Sequence, residues 1–470
     1  MRCLAIDQGT TSTRGILVDA DGRAEVVASL THRQSHPRRG WVEHDPEELL
    51  AHVAAALEAG IARGATAWAL ANQGESCLAW DAGTGEPVCP VIVWQDARTA
   101  DVTGNLAHEG LAPEVAARSG LPLDPYFSAS KLGWILCHVP AARALGASGR
   151  LRLGTTDAFF RDRLTGRFET DPATASRSSL MNLATCEWDP ELCRIFGVPI
   201  SALPRILPCT GALDVARGLP LAASIVDQQA ALYGHGCRKP GEAKITFGTG
   251  AFVLAIAGAA PPEPGQGPLP TVGWQLAGEA PVYALEGGVH AASAALNWAR
   301  DLGLFSEFDE ISGLGEASML ARGLAFVPAL AGLACPHWDR GATGAWLGLT
   351  LETGRRDMMQ AMLEGIAYRT AEVLEAMERC TTIRLPLAID GGMSRNPGFA
   401  RILADVCRRA ILVSDQAERT ALGLAAMAAR AQGLALPLPQ GGLHVEPDPG
   451  YPDLRRAFAR ARDVARVRLV

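Results

Sequence analysis

Four short stretches of this chain carry residues able to hold a phosphate or move a proton. The first is Asp7-Gln8-Gly9-Thr10-Thr11-Ser12-Thr13-Arg14, a carboxylate followed by a glycine, a block of hydroxyls and a guanidinium. The glycine lets the backbone approach a ligand closely. Backbone N–H groups and hydroxyls in such a turn form a nest for an anion. Asp7 would face the cation that accompanies the anion, with Mg²⁺ and a phosphate the natural pair. Gly248-Thr249-Gly250 repeats the device in the second half of the chain. Gly391-Gly392-Met393-Ser394-Arg395-Asn396 is a third glycine turn, at a helix N-terminus suited to phosphate or ribose. The fourth stretch, Ile225-Val226-Asp227-Gln228-Gln229-Ala230-Ala231-Leu232, brings a second carboxylate. Asp227 reads equally as a helix N-cap and as a group that takes a proton from a substrate hydroxyl. Taken alone, the opening stretch is also a plain β-hairpin with a polar turn.

The flanking patterns say what must position these residues. Apolar runs on both sides of Gly9 predict strand, turn, strand, continuing through Asp19-Ala20-Asp21-Gly22 into a third strand. This meander, without G-x-G-x-x-G at the first turn, disfavours a dinucleotide-binding dehydrogenase. A helix starts at Asp45-Pro46-Glu47-Glu48, with Asp45 as N-cap, Glu48 in a capping-box position and Gly60 as the stop. A buried strand, Ala67–Ala71, ends in the polar run Asn72-Gln73-Gly74-Glu75-Ser76. Leu121–Phe127 is a proline-bounded loop, Asp157–Leu164 reads as a helix, and the rest of residues 100–220 shows no clear pattern. A glycine-rich break at Gly234–Gly241 precedes the second strand–Gly-Thr–strand unit, which suggests two domains of similar topology with a cleft between them. Loop signals mark Pro261–Pro268. Long helices are expected after Arg356-Asp357, after Asn396-Pro397, from Glu418 to Gln432, and over the Arg-rich tail Arg455–Arg468.

At 470 residues the chain is too long for one ordinary core. A formal net charge of −7 disfavours an electrostatic grip on nucleic acid or an anionic membrane. No apolar run reaches the length of a membrane span and no secretion signal opens the chain. The 11 cysteines are scattered without C-x-x-C, which speaks against disulfides and structural zinc and suits a cytoplasmic location.

Seven segments in order resemble the FGGY family of carbohydrate kinases, and within it the glycerol kinases. They are Ala5–Arg14, Gly40–Pro46, Val91–Thr99, Asp124–Ser128, Asp227–Leu232, Gly248–Phe252 and Asp390–Asn396. The resemblance implies an α/β chain of two actin-like (ribonuclease H-like) domains, 1–236 and 237–470, each a five-stranded sheet between helices. ATP would lie in the interdomain cleft, mainly against the second domain, and a small polyol or sugar mainly against the first. Glycerol is the expected acceptor, phosphorylated on a primary hydroxyl. Matched position by position, Thr10, Thr11, Ser12, Arg14 and Thr249 correspond to phosphate contacts, and Gly392 and Asn396 to adenosine contacts. Ser293 and Asn297 fall where the family usually has Gly and Gln beside the nucleotide. Asp227 corresponds to the catalytic base and Asp7 to the carboxylate that holds Mg²⁺. Glu75, Trp94, Tyr126, Asp227, Gln228 and Phe252 correspond to the acceptor site. A homodimer or homotetramer is the family habit.

Two departures qualify the resemblance. Glycerol kinases usually read Asn-Gln-Arg-Glu-Thr where this chain has Asn72-Gln73-Gly74-Glu75-Ser76. Losing that arginine removes a fork of donors and opens space, so a longer polyol or a ketose (erythritol, xylulose) is the alternative acceptor, or another side chain fills the gap. The stretch Ala216–Ser224 is shorter than the family's fructose 1,6-bisphosphate loop and has one arginine, so that inhibition is expected to be absent. A non-catalytic actin-like nucleotide-binding protein is the rival of another class. The chain's retention of Asp7, Asp227 and Tyr126 argues against it.

Overall fold

The computed structural model describes residues 1–467 except Gln266 and Glu316. Gln266 of the expected proline-rich loop and Arg468 of the tail therefore lie outside the described residues. The first half is built on a six-stranded sheet: β1 (Cys3–Gln8), β2 (Ser12–Val18), β3 (Ala24–Thr31), β4 (Ala67–Asn72), β5 (Thr210–Ala216) and β6 (Leu219–Val226), in the order β5-β6-β4-β1-β2-β3. The second half carries a seven-stranded sheet: β7 (Ala243–Phe247), β8 (Ala251–Gly258), β9 (Leu269–Trp274), β10 (Val282–Val289), β11 (Leu387–Asp390), β12 (Ile411–Ser414) and β13 (Gly442–Val445), in the order β9-β10-β8-β7-β11-β12-β13. Both contain the same five-strand unit. An antiparallel meander, β1-β2-β3 or β7-β8-β10, is followed on the other side of its first strand by two parallel strands, β4-β6 or β11-β12. The expectation of five strands per sheet is corrected by β5, β9 and β13. Each adds by antiparallel pairing at an edge, which needs only a neighbouring hairpin or return.

The first turn joins β1 to β2 with Asp7 directly opposite Arg14, and the Gly9 N–H donates to the Ser12 carbonyl. Helix α1 (Pro46–Ala62) is capped by the Asp45 carboxylate, which accepts from the Glu47 and Glu48 N–H groups. Glu48 does not close a capping box; its carboxylate accepts from the Arg33 N–H. Nor does Gly60 stop the helix. It lies under Leu4, where an added Cβ would meet Leu4 Cδ2 at 2.4 Å, so it serves close packing. Helix α2 (Asp227–Gly234) starts at the end of β6, and α3 (Ser293–Asp301) follows β10. Helices α4 (Arg355–Glu378), α5 (Pro397–Cys407) and α6 (Arg419–Ala431) cover the second sheet and the junction. The alanine-rich α6 packs on α2 at van der Waals limits: a Cβ on Gly423 would sit 1.8 Å from the Ala230 carbonyl oxygen. One apolar cluster runs from Ala5 and Ile225 to Leu254, Trp274 and Leu424, so the halves share a core beneath the cleft. All 11 cysteines are free thiols. No helix among the described residues is long and apolar enough to cross a membrane.

Candidate active site

The parallel strands of the first sheet deliver polar residues at their ends. Beyond β4, the chain holds Glu75 at φ 58°, a left-handed conformation seldom adopted by a side chain of this size. The Ser128 hydroxyl steadies it by donating to the Glu75 carbonyl at 2.9 Å. The last residue of β6, Val226, occupies the cap position of α2, and Asp227 is the first helical residue. The N-cap reading of Asp227 therefore does not hold. Among the described residues its carboxylate accepts only from the adjacent Gln228 N–H, at 2.7 Å, and Asp227 lines the cleft cavity.

Glu75, Trp94, Tyr126, Asp227, Gln228 and Phe252 come together around one cavity of about 150 Å³. Three rings form an aromatic wall: Trp94 packs edge-on against Tyr126 (5.6 Å between centroids) and Phe252 (6.3 Å). Thr10 and Thr249 line the same cavity, so the first and second glycine turns meet there from opposite halves. Thr10 Oγ1 accepts from the Trp94 indole N–H at 2.9 Å. Thr11 and Ser12 do not line it. Their carbonyls accept from protein N–H groups, Thr11 from His32 just beyond β3 and Ser12 from Gly9 within the turn. Arg14 points elsewhere, into a bidentate-type pair with Glu418 at the start of α6 (2.8 and 2.9 Å). That pair lines a further cavity with Gly391 and Gly392.

The third glycine turn borders a larger cavity of about 650 Å³, walled by Ser293, Leu296, Phe308, Ile311, Gly392, Met393 and Asn396 among others. Gly391, at φ 91°, passes so close to β7 that a Cβ would sit 2.3 Å from the Phe247 carbonyl oxygen. Gly392, by contrast, faces open space. Asn396 caps α5, accepting from the Phe399 N–H at 3.0 Å. Asn297 does not join this wall; it is exposed on α3, one turn beyond Ser293.

Charge defines the smaller cavity. Burial, then the Asp7 and Glu75 carboxylates, push Asp227 up to about 8. Burial and Glu418 raise Asp7 to about 6, against the pull of Arg14. Burial raises Glu75 to about 7 although Arg177 opposes it. Several residues here gave no recognisable motif. Arg177 and Glu286 line the cavity as an ion pair, and Gln73 does so with both amide atoms unpartnered among the described residues. Buried Lys244 donates to the Gln228 side-chain oxygen at 2.5 Å and to Thr246 Oγ1 at 2.8 Å. Buried Lys131 donates to the carbonyls of Val93, Trp94 and Tyr126 at 2.9, 3.2 and 3.1 Å, fixing two aromatic positions from behind. Only Gln73 had a sequence signal, as a polar residue at a buried strand's end.

Residues 2–231 match the N-terminal domain of the FGGY family of carbohydrate kinases, and residues 243–432 its C-terminal domain. The chain belongs to the FGGY family of carbohydrate kinases. It is 43% identical over 446 residues to a glycerol kinase of Methylorubrum extorquens (91% of this chain, 89% of that one). It is 42% identical to the glycerol kinase of Alkalilimnicola ehrlichii (92% and 90% covered). Among solved structures it superimposes on Plasmodium falciparum glycerol kinase with ADP at a TM-score of 0.89, with 27% identity over 100% of this chain and 99% of that one. A ligand-bound xylulose kinase from Lactobacillus acidophilus shares the fold at a TM-score of 0.88 and 21% identity, covering 98% of each chain. The family makes this FGGY protein a kinase, a phosphotransferase acting on a sugar or polyol.

Proposed function

We propose that this FGGY kinase transfers the γ-phosphoryl group of ATP to a primary hydroxyl of glycerol, giving glycerol 3-phosphate and ADP. The observation that carries the reading is the convergence of Asp227, Glu75, Gln228 and the aromatic wall on a cavity that two phosphate-type turns also reach. Its size, about 150 Å³, is sufficient for a three-carbon polyol. The names of the relatives at 42–43% identity point the same way. Space at Gly74 would favour a longer acceptor, but Val226 Cγ2 lies 3.0 Å from where a Cβ would stand there, so part of that space is filled.

In this reading Trp94 and Phe252 cover the carbon chain while Glu75 and Gln228 accept and donate to its hydroxyls. Asp227 takes the proton of the attacking hydroxyl, and Thr10 and Thr249 donate to the transferring phosphoryl group. The adenosine lies in the larger cavity against Ser293, Gly392 and Asn396, a nucleotide site built almost wholly by the second half. Thr11, Ser12 and Arg14 reach phosphate only if the first turn and the Arg14–Glu418 pair rearrange. Asn297 needs a similar change. The domains are taken as 1–236 and 237–470. A cytoplasmic homodimer or homotetramer belongs to the same reading.

The residues present fit Mg²⁺. Asp7 and Asp227 are hard oxygen donors whose pKa values burial pushes upward, and the Asp7 carboxylate adds to the rise at Asp227, so a cation between them would be welcome. Mg²⁺ commonly takes one or two carboxylates and completes its shell with water and phosphate. Bound there, it would neutralise charge on the phosphoryl group. The test is ADP release with glycerol, erythritol, xylitol and xylulose in parallel. Glycerol should give the highest kcat/KM. A tetritol or ketose ahead of it would move the acceptor assignment, and no polyol-dependent ADP would sink it.

A further inference from the structure

Gly74 leaves the acceptor site without the donor fork that its motif leads one to expect, yet the cavity contains a guanidinium. Arg177 follows the short helix Pro172–Ala175, capped by Asp171. Its side chain is 1% exposed and lines the acceptor cavity. Its Nε donates to Glu75 at 2.7 Å and one terminal nitrogen, Nη2, donates to Glu286 at 2.9 Å. The other, Nη1, is buried with no partner among the described residues. A guanidinium offers five N–H donors. Leaving part of a buried charged group unsatisfied costs more than leaving a neutral one, so native interiors seldom do so. The Tyr126 and Phe127 rings lie 5.8 and 5.5 Å from the guanidinium carbon and hem it in from the side.

We propose that Arg177, through Nη1, supplies the hydroxyl-recognising donor that Gly74 lacks, and so sets the acceptor specificity of this enzyme. The assignment rests on the polyol kinase reading above. Two carboxylates hold the fork in place, and Nη1, beside Tyr126 in the cavity wall, is the one terminal nitrogen that neither carboxylate engages. Glu286 lies on β10, in the second half, whereas Glu75 and Arg177 lie in the first. The donor is thus fully braced only when the halves stand as they do here. Lysine keeps the charge and loses the fork, so it cannot hold both carboxylates and still present a third donor in the same plane.

The test compares glycerol with its deoxy analogues, 1,2-propanediol and 1,3-propanediol. The proteins are wild type, Arg177→Lys, and the double variant Arg177→Gln with Glu286→Gln. The double variant removes a buried carboxylate together with the guanidinium, which limits the unpaired charge left behind, and thermal melts check that each variant folds. Wild type should prefer glycerol in kcat/KM. In both variants the preference over the diol lacking the recognised hydroxyl should fall about 10- to 100-fold, chiefly through KM. A purely structural role lowers glycerol and both diols together and leaves the ratios at wild-type values, which would overturn this assignment alone. Wild type inactive on glycerol would overturn the functional reading and this assignment with it.

Discussion

Two cavities of the cleft are built on opposite plans. The smaller is walled by both halves of the chain and crowded with carboxylates and an arginine. The larger is walled by the second half alone and is mainly apolar, with Leu296, Phe308, Ile311 and Met393 in its lining. A site made by one rigid body can bind its ligand whatever the other half does. A site made by two exists only when they meet. The contrast suggests that nucleotide affinity and acceptor chemistry are separable by mutation, and that the acceptor side carries the pH dependence.

The largest separable effect is expected at Glu75. Glu75→Gln should lower kcat/KM for glycerol about 10²- to 10³-fold, because a site built to pair hydroxyls suffers when a pairing group is changed. ATP affinity, read by calorimetry, should stay within about twofold. A parallel loss of ATP affinity would break the division between cavities.

Asn396→Ala tests the other side. It removes a wall residue of the larger cavity and an N-cap that contributes about 1 kcal/mol. KM for ATP should rise about tenfold while KM for glycerol holds, and Tm should fall by about 2–4 °C.

Titration should sharpen the contrast next. Asp227 is held up to about 8 and Asp7 to about 6. A base must be ionised to accept a proton, so kcat/KM for the acceptor should rise with pH across about 6 to 8. Raising Mg²⁺ should move that limb to lower pH. Stability runs the other way. The folded chain keeps protons at Asp227 that the unfolded chain releases near pH 4. The contribution is therefore full below pH 4 and is lost as pH climbs to about 8. In ligand-free protein the Tm gain of Asp227→Asn over wild type should grow from pH 5 to pH 8.5. A gain that stays flat over that range would show the carboxyl to be already ionised when buried.

The smallest effect is expected at Lys131, which grips carbonyls rather than ligand. Lys131→Met should raise KM for glycerol severalfold through looser Trp94 and Tyr126, and leave KM for ATP unchanged. Equal shifts in both KM values would mean a general loss of fold.

What could be read from the sequence follows the same divide. The repeated strand–turn–strand units were legible because glycine turns at the ends of apolar runs are local signals, and the structure returns the same five-strand unit in both halves. The stretch from 100 to 220 was not, because much of its order is non-local. Cys77–Asp81, for instance, pairs with Leu151–Thr155 across some 70 residues, in a sheet completed by two-residue strands. Helix α1 shows a local signal misread: Gly60 is a packing contact, and the left-handed glycine lies further on, at Gly64. In the proposed acceptor site, Glu75, Trp94, Tyr126, Asp227, Gln228 and Phe252 sit in recognisable motifs. Arg177 and Lys131 do not. An arginine among serines and a lysine in a helix look solvated until Glu286, 109 positions away, and the carbonyls behind Trp94 are folded against them.

The most direct test of the account follows ADP release on adding glycerol to wild type and Asp227→Asn, with ATP affinity measured on the same samples. The account predicts glycerol-dependent ADP in wild type, a loss of at least about 10²-fold in kcat for the variant, and ATP binding largely retained. Wild-type kcat in Asp227→Asn would contradict it.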